Sequence, residues 1–257
     1  MRSIVNQSAK NPVRILQVTD PHLFADRSAS LRGTVTHDTL VAVLDHIVTE
    51  DWQADIVAMT GDLIQDDSQE AYQRFRELFA PLGLPVYGVP GNHDIRDYMQ
   101  AALSAPPFHY CASYQQYNWL VTGIDSCKDD SAGGQVAEAE MQRLLKLIGN
   151  TQAEHVLVCL HHPPLPVGSA WLDGVGLEDG EQFLNALEAT GKVRGCLFGH
   201  VHQAFDEQYE ALRIIGTPST CRQFKPGSDE FALDEAPPAY RRVELHANGS
   251  IESELIW

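Results

Sequence analysis

Five short polar clusters, each placed directly after an apolar run rich in β-branched residues, constrain the fold of this chain most. Such runs predict buried strands, so each cluster is expected at the carboxyl end of a strand. The clusters are far apart in sequence and can meet only if the fold brings these strand ends to one edge. In order, they are Asp20-Pro21-His22, Gly61-Asp62, Gly91-Asn92-His93-Asp94, His161-His162 and Gly199-His200-Val201-His202.

The side chains in these clusters carry nitrogen and oxygen donors that suit divalent metal ions. Asp20 and His22 are two apart on extended chain, so both side chains leave the same face, and Pro21 restricts the backbone between them. His200 and His202 repeat that spacing. The absence of thiolates from the set disfavours structural zinc or iron–sulfur sites and suits a hydrolytic metal site. The candidate ligands are Asp20, His22, Asp62, Asn92, His161, His200 and His202.

Length and charge limit the classes of function. A chain of 257 residues can form one large domain. The net charge of -17 argues against a nucleic-acid polymer as partner, because such binding needs a basic surface. A small phosphate ester is compatible with this acidity if bound cations make the site locally positive.

Composition also bears on location. No apolar run approaches the ~18 residues that predict a membrane span, and the polar segment 1–10 does not resemble a secretion signal. We expect residues 1–12 to be a flexible tail. The five cysteines are scattered without a C-x-x-C pair, which indicates reduced thiols and a cytoplasmic protein.

The apolar pattern alternates between strands and helices and then becomes antiparallel. Residues 205–210 and 212–215 are expected to pair, as are 240–245 and 251–256 around the Asn248-Gly249 turn. The proline-rich segment 218–238 is expected to be a loop that covers the substrate. Earlier strands are predicted over 13–19, 56–59, 86–89, 119–124, 155–160 and 193–198, and helices over 39–48, 68–79, 141–148 and 181–188.

The calcineurin-like metallophosphoesterase superfamily has a signature that this chain resembles in five blocks. The blocks are Asp20-x-His22, Gly61-Asp62-x-x-x-Asp66, Gly91-Asn92-His93-Asp94, His161 and Gly199-His200-x-His202. Segments 89–94, 161–173 and 217–240 further resemble bacterial class III 3',5'-cyclic-AMP phosphodiesterases, and the resemblance covers residues 13–257. One departure is Pro163, where many members carry a third histidine.

This resemblance implies an α/β fold with mixed sheets, a four-layer α-β-β-α sandwich formed by a single domain over 1–257. It also implies two divalent ions, with Fe²⁺ or Mn²⁺ favoured and Mg²⁺, Co²⁺ or Zn²⁺ as alternatives. Asp62 would bridge them, and each of its two oxygens would bind one ion. One ion would be held by Asp20, His22, Asp62 and His202, and the other by Asp62, Asn92, His161 and His200.

The implied reaction is hydrolysis of 3',5'-cyclic AMP to 5'-AMP, which would lower intracellular cyclic AMP. In this hypothesis a bridging hydroxide attacks phosphorus in line with the 3' oxygen. His93 would contact the phosphate and protonate the departing alkoxide, with Asp94 orienting its ring. The partner is a small cyclic nucleotide rather than a polymer or a membrane. Expected substrate contacts come from His22, Asp62, Asn92, His93 and His202.

Several further residues allow two interpretations each. Packing is favoured over substrate contact for His109, and a structural or indirect role for His162, since neighbours on a strand face opposite sides. Asp66 suits helix capping at least as well as the edge of the site. Trp171 could line a pocket or belong to the core. Loop structure and substrate contact are equally compatible with Arg222, Gln223, Phe224 and Lys225, and structural roles are expected for His37, His46, His155 and His246.

Two other functions stay open on the sequence alone. A phosphoesterase with the same centre could act on 2',3'-cyclic nucleotides, glycerophosphodiesters or phosphomonoesters, because the metal motifs do not select the alcohol. A non-catalytic scaffold of the same fold is a more distant alternative, which predicts lost ligands or a lost His93, and neither is lost.

Overall fold

Two six-stranded sheets form the centre of the protein in the computed structural model, which describes residues 11–257. In spatial order, the first sheet contains β14 (Ile251–Ile256), β13 (Tyr240–Leu245), β1 (Val13–Val18), β4 (Ile56–Met59), β5 (Val86–Gly88) and β6 (Phe108–Tyr110). The second contains β11 (Phe205–Tyr209), β12 (Leu212–Gly216), β10 (Val193–Phe198), β9 (His155–Cys159), β8 (Trp119–Gly123) and β7 (Ser113–Gln116).

Each sheet combines four parallel strands with antiparallel strands, at one margin of the first sheet and at both margins of the second. Strands β1, β4, β5 and β6 run parallel, and so do β12, β10, β9 and β8. The β13–β14 hairpin, β7 and β11 pair antiparallel with their neighbours. A separate two-stranded hairpin is formed by β2 (Ser30–Leu31) and β3 (Thr34–Val35).

Helices cover the outer face of each sheet. The first sheet carries α1 (Thr36–Thr49), α2 (Gln69–Phe79) and α3 (Arg96–Ala102), whose apolar side chains share one buried cluster with strand residues. The second sheet carries α4 (Glu138–Asn150), α5 (Ala170–Asp173) and α6 (Gly180–Glu188). Their apolar side chains form a second buried cluster with residues of that sheet. A third buried cluster joins the two sheets to each other.

Strand β1 illustrates how the sequence produces these layers. Val13 and Ile15 belong to the cluster between the sheets, whereas Leu16 and Val18 belong to the cluster under the helices. Successive side chains of a strand face opposite sides of the sheet. A strand with apolar residues at both its odd and its even positions is therefore covered on both faces. The predicted four-layer α-β-β-α sandwich with mixed sheets is thus confirmed.

The element predictions are correct for the periodic helices and for the strands with a continuous apolar run, including the short β4 and β5, and they fail for other short elements. Helix α1 begins at Thr36, three residues before the predicted start, and the short elements α3, α5, β2, β3, β6 and β7 were not predicted. These elements lack the continuous apolar run that identified the equally short β4 and β5. The β11–β12 and β13–β14 pairs are confirmed, although β12 also pairs parallel with β10.

The predicted tail over 1–12 lies mostly outside the described residues, which begin at residue 11. The single-domain assignment over 1–257 stays a prediction. Within residues 11–257, no helix combines the length and the hydrophobicity that a membrane crossing requires.

Candidate metal centre

The five polar clusters meet where the parallel strands of both sheets end. Asp20, Asp62 and Asn92 follow β1, β4 and β5 of the first sheet, while His161 and His200 follow β9 and β10 of the second. Carboxyl ends of parallel strands lie at one edge of a sheet. Since the two sheets pack face to face, their edges together gather donors that are distant in sequence.

Several of the proposed ligands have left-handed backbone conformations. The φ angles are 52° at Asp20, 46° at His22, 52° at Asp62, 68° at His200 and 48° at His202. This region is unfavourable for residues with a side chain and costs roughly 1–3 kcal/mol for each one. Strain of this kind persists where the surrounding structure enforces it, and it is typical of functional sites.

Two glycines allow the backbone to approach these side chains. Gly61 has a φ of 99°, and a Cβ there would overlap the His161 imidazole. A Cβ at Gly91 would overlap the Asp62 carboxylate. The glycines therefore permit close packing around the donors.

A first group of donors consists of Asp20, His22, Asp62 and His202. Nε2 of His202 lies 3.4 Å from Oδ1 of Asp20, and Nε2 of His22 lies 3.7 Å from Oδ2 of Asp62. The two imidazole Nε2 atoms are 3.1 Å apart. Two such nitrogens that face one another need a proton or a cation between them.

A second group consists of Asp62, Asn92, His161 and His200. Oδ1 of Asn92 lies 3.2 Å from Nε2 of His161 and 2.9 Å from Nδ1 of His200, and these nitrogens are 3.2 Å apart. Oδ2 of Asp62 lies 3.4 Å from Nε2 of His161. All seven residues of the two groups thus converge, and their donor types fit hard or borderline divalent ions.

Asp62 joins the two groups through a single oxygen. Its Oδ2 faces both His22 and His161, whereas Oδ1 accepts a hydrogen bond of 2.9 Å from the His93 backbone N–H. In this structure the turn at His93 therefore occupies Oδ1 with a backbone amide. The expectation that each carboxylate oxygen would serve one ion stays a prediction.

Backbone carbonyls set the tautomers of two of the imidazoles. His161 Nδ1 lies 2.8 Å from the Thr60 carbonyl oxygen, and His202 Nδ1 lies 2.6 Å from that of Arg222. When Nδ1–H donates to a carbonyl, the lone pair of Nε2 is left for the centre. Both Nε2 atoms are those that face the other donors.

The pKa values of the buried groups follow from burial and from the Asp62 charge. Burial lowers the pKa of His22 to about 4 and that of His200 to about 3, so both imidazoles are neutral at pH 7. Burial also disfavours charge on His161, but the Asp62 carboxylate outweighs it and raises the pKa of His161 to about 9. Burial alone would raise the pKa of Asp62, but the His161 imidazole holds the pKa of Asp62 well below its ordinary range.

His93 lies beside the two groups and contacts a residue that the sequence analysis did not identify. Its ring centroid is 5.1 Å from that of His22, and its Nδ1 lies 3.2 Å from the Gln65 side-chain amide. Together with His22 and Asp62 it also forms a set with donor atoms within 4.8 Å of one another. Gln65 stands three residues after Asp62 in the second motif, which is the signal that could have identified it.

The expected contact between Asp94 and the His93 ring is not made within residues 11–257. The Asp94 carboxylate instead accepts hydrogen bonds from the backbone N–H of Gly91 and Leu63 and from the Tyr72 hydroxyl. Burial, together with the charge of Asp62, raises the pKa of Asp94 to about 7. Asp94 therefore holds the turn rather than the ring.

His162 packs against the centre instead of pointing away from it. Its ring lies 4.9 Å from those of both His161 and His200, and its Nδ1 lies 2.9 Å from Ser126 Oγ. The opposite-face expectation fails because β9 ends at Cys159, before either histidine. His162 does share a potential metal-holding set with His161 and His200.

The structure also shows the contacts of the remaining residues for which the sequence allowed two interpretations or predicted a structural role. Ser68 rather than Asp66 caps α2, since its side chain accepts from Ala71 N, and Asp66 instead bonds the Ser68 hydroxyl. His109 stacks on Tyr87 at 4.6 Å, away from the centre. His46 contacts Tyr240, and His155 packs on Trp119.

A cavity of about 290 Å³ opens from the donor groups. Segment 218–238 contributes Arg222, Phe224, Phe231 and Leu233 to its lining, and Trp171 lines it from α5. Gln223 and Lys225 do not line it. The Gln223 amide bonds to Ser219 and Pro237 and so stabilises the loop from within. Substrate covering by this loop stays a prediction.

A four-layer sandwich with carboxylate, amide and imidazole donors where its two sheets end is the arrangement of a metallophosphoesterase. The calcineurin-like phosphoesterase family model matches residues 13–204, and the chain belongs to this family. The resemblance noted from the motifs is thereby confirmed.

Two curated relatives and one solved structure illustrate the similarity. The 3',5'-cyclic adenosine monophosphate phosphodiesterase CpdA of Haemophilus influenzae is 37% identical over 98% of this chain and 93% of its own length. A 3',5'-cyclic-nucleotide phosphodiesterase of Nostoc is 33% identical over 96% of this chain and 92% of its own. A dimetal phosphatase from Danio rerio has the same fold, with a TM-score of 0.64 at 16% identity over 96% of this chain and 99% of its own. These matches and the donor groups support the predicted metal-dependent phosphodiesterase.

Proposed function

We propose that this protein hydrolyses 3',5'-cyclic AMP to 5'-AMP with two divalent ions. The observation that carries the proposal is the pair of donor groups that share Asp62 Oδ2. The substrate is inferred from the curated relatives, which match nearly the whole chain and are named as 3',5'-cyclic-AMP phosphodiesterases.

The residues proposed to hold the ions are the seven that converge. Asp20, His22, Asp62 and His202 would hold one, and Asp62, Asn92, His161 and His200 the other. When bound, two divalent ions supply Lewis acidity that activates water and neutralises charge on the phosphoryl oxygens. The donor set is compatible with Fe²⁺, Mn²⁺, Mg²⁺, Co²⁺ and Zn²⁺, and Fe²⁺ or Mn²⁺ is proposed because the family resemblance favours these two ions.

His93 is proposed as the proton donor to the departing 3' oxygen. It lines the cavity together with His22 and Asn92. The Gln65 amide at Nδ1 holds the ring so that Nε2 is the atom available to the substrate. A general acid at this place would contribute about 100- to 10,000-fold to the rate.

The proposed reaction is assigned to the cytoplasm. The five cysteines are all free, as expected for the reducing compartment that the sequence predicts. The location itself stays a prediction.

A turnover panel tests the substrate assignment. The purified protein, loaded with Mn²⁺ or Fe²⁺, is given 3',5'-cAMP, 3',5'-cGMP, 2',3'-cAMP and 5'-AMP, and the products are separated chromatographically. Preference for 3',5'-cAMP with 5'-AMP as product supports the proposal. A clear preference for 2',3'-cAMP would refute the substrate assignment but not the proposed metal centre. A metal-loaded protein that is inactive on every ester would favour the non-catalytic scaffold.

A further inference from the structure

The cavity has a second end that the metal chemistry does not use. Trp171 from α5 and Phe224 and Phe231 from segment 218–238 line it. The Trp171 ring lies 5.1 Å from that of Phe224 and 5.3 Å from that of Phe231, and the two phenyl rings are 5.5 Å apart, all edge to face. We call these three residues the aromatic cluster.

The aromatic cluster begins directly at the metal centre. Phe224 stacks on the His202 imidazole with centroids 4.2 Å apart and ring planes 7° from parallel. The aromatic surface is therefore within reach of the remainder of a ligand whose phosphate lies among the donor groups.

The cluster differs from ordinary core in two respects. Phe231 is 42% exposed, although it contacts two other aromatic rings. The Nε1–H of Trp171 is buried and has no hydrogen-bond acceptor within residues 11–257. Buried indole N–H groups normally have a partner, so a ligand that carries an acceptor would complete this site.

Positive charge accompanies the aromatic surface. The Arg32 guanidinium lies 4.2 Å from the centroid of Phe231, and Arg222 donates to Thr34 Oγ1 while its Nε has no acceptor in the described part of the chain. Neither arginine forms an ion pair with a carboxylate there. In a chain with a net charge of -17, unpaired arginines at one cavity indicate an anionic ligand.

A ligand that is both an anion and a planar aromatic satisfies all of these features. Building on the proposed function, we infer that Trp171 and Phe231 form the subsite for the purine base of the cyclic nucleotide. The base packs against the face of Phe231 and the edge of Trp171, where Nε1–H donates to a ring nitrogen of the purine. These two residues would set the preference for purine over pyrimidine cyclic nucleotides, because the larger base covers more aromatic surface.

Substitutions at Trp171 and Phe231 test the subsite, whereas Phe224 is avoided because it packs on His202. The Trp171→Leu and Phe231→Leu variants are assayed on 3',5'-cAMP and on ribose 3',5'-cyclic phosphate, which lacks a base. Because stacking of one base is worth about tenfold or more in affinity, kcat/KM for 3',5'-cAMP should fall about tenfold more than kcat/KM for the abasic substrate. The loss should appear in KM.

Two matched variants sharpen the result. Trp171→Phe keeps an aromatic ring and removes the N–H, so it separates stacking from hydrogen bonding. Trp257→Leu changes an exposed tryptophan that does not line the cavity and should leave both activities as in the wild type. Equal losses on both substrates, or no loss on 3',5'-cAMP, would overturn the inference.

Failure of the proposed function can be told apart from failure of the subsite. A wild-type protein that turns over no 3',5'-cyclic nucleotide refutes the function, and binding then tests the subsite separately. Equilibrium dialysis of the metal-loaded protein compares 5'-AMP with ribose 5-phosphate. Tighter binding of 5'-AMP, lost in Trp171→Leu, supports the subsite, and equal binding of the two ligands contradicts it.

Discussion

His93 and Asp94 are adjacent in the chain but serve different parts of the site. The His93 ring lines the cavity and meets the Gln65 amide, whereas Asp94 is buried among backbone N–H groups of the neighbouring turns. A residue that is to contact substrate must reach the cavity, and of these two His93 lines the cavity that opens from the donor groups. Asp94 contributes by holding the turn that presents Asn92.

Replacing His93 with Ala should separate catalysis from metal binding. We expect kcat on 3',5'-cAMP to fall about 100- to 10,000-fold, because the leaving oxygen loses its proton donor. Metal content, measured by mass spectrometry of the desalted protein, should match the wild type. Loss of metal together with activity would identify His93 as a ligand, in keeping with its proximity to His22 and Asp62.

Gln65 is expected to act through His93 rather than on the substrate. Gln65→Leu removes the hydrogen bond at Nδ1 and should lower kcat about tenfold or more, since a misplaced general acid loses rate steeply. Gln65→Glu replaces the amide donor that faces Nδ1 with a carboxylate that can only accept, so it should not restore the rate. If the Leu variant had wild-type kcat, or if both variants lost metal, the positioning role would be wrong.

At the level of elements, Gln17 ties the two sheets together next to the site. It lies in β1 and is fully buried between the sheets, where its amide donates 3.0 Å to the Phe198 carbonyl oxygen of β10. Its Oε1 accepts from the Thr217 hydroxyl at 2.7 Å. Because Asp20 follows β1 and His200 follows β10, this link holds the two halves of the centre in register.

Removing that link should destabilise the fold. Gln17→Leu leaves the Phe198 carbonyl and the Thr217 hydroxyl without this partner, and we expect a loss of about 1–3 kcal/mol in the free energy of unfolding. Urea denaturation of the metal-free protein measures it. The same change at Gln115, an exposed residue of β7, should cost less than about 0.5 kcal/mol. Equal effects at the two positions would show that Gln17 is not a special link.

For the whole molecule, metal uptake should be coupled to protons through His161. In the metal-free protein its pKa is raised to about 9 against an ordinary 6.5, so the ring is charged at pH 7 and pairs with Asp62. That pair stabilises the metal-free fold fully below pH 6.5, and its contribution is lost as pH rises through about 9. A bound ion must displace this proton.

We therefore expect apparent metal affinity to rise from pH 6 toward pH 9. Uptake of Mn²⁺ near pH 7.5 should release about one proton per chain, which calorimetry in buffers of different ionisation enthalpy can measure. A chelator should also lower the melting temperature of the loaded protein. Proton release near zero, with affinity independent of pH, would contradict the ion pair between His161 and Asp62.

The sequence by itself determined the donor types, their order and their positions after strands. Continuous apolar runs rich in β-branched residues indicate a buried strand and its end, and spacings such as Asp20-x-His22 indicate which side chains leave together. For the same reason the long strands and helices could be predicted, and the five motif blocks were enough to indicate the family. Segments such as β6 and α3 could not be predicted, because they are too short to display a period and have no continuous apolar run.

Only the tertiary structure decided how these donors combine. The sharing of Asp62 Oδ2, the contact of Gln65 with His93 and the placement of Phe231 beside Trp171 all join segments from different strands or loops. Such contacts depend on how the two sheets pack and on which way each turn leaves its strand. Neither is encoded in local periodicity, because the side chains that meet are tens to hundreds of residues apart in the chain.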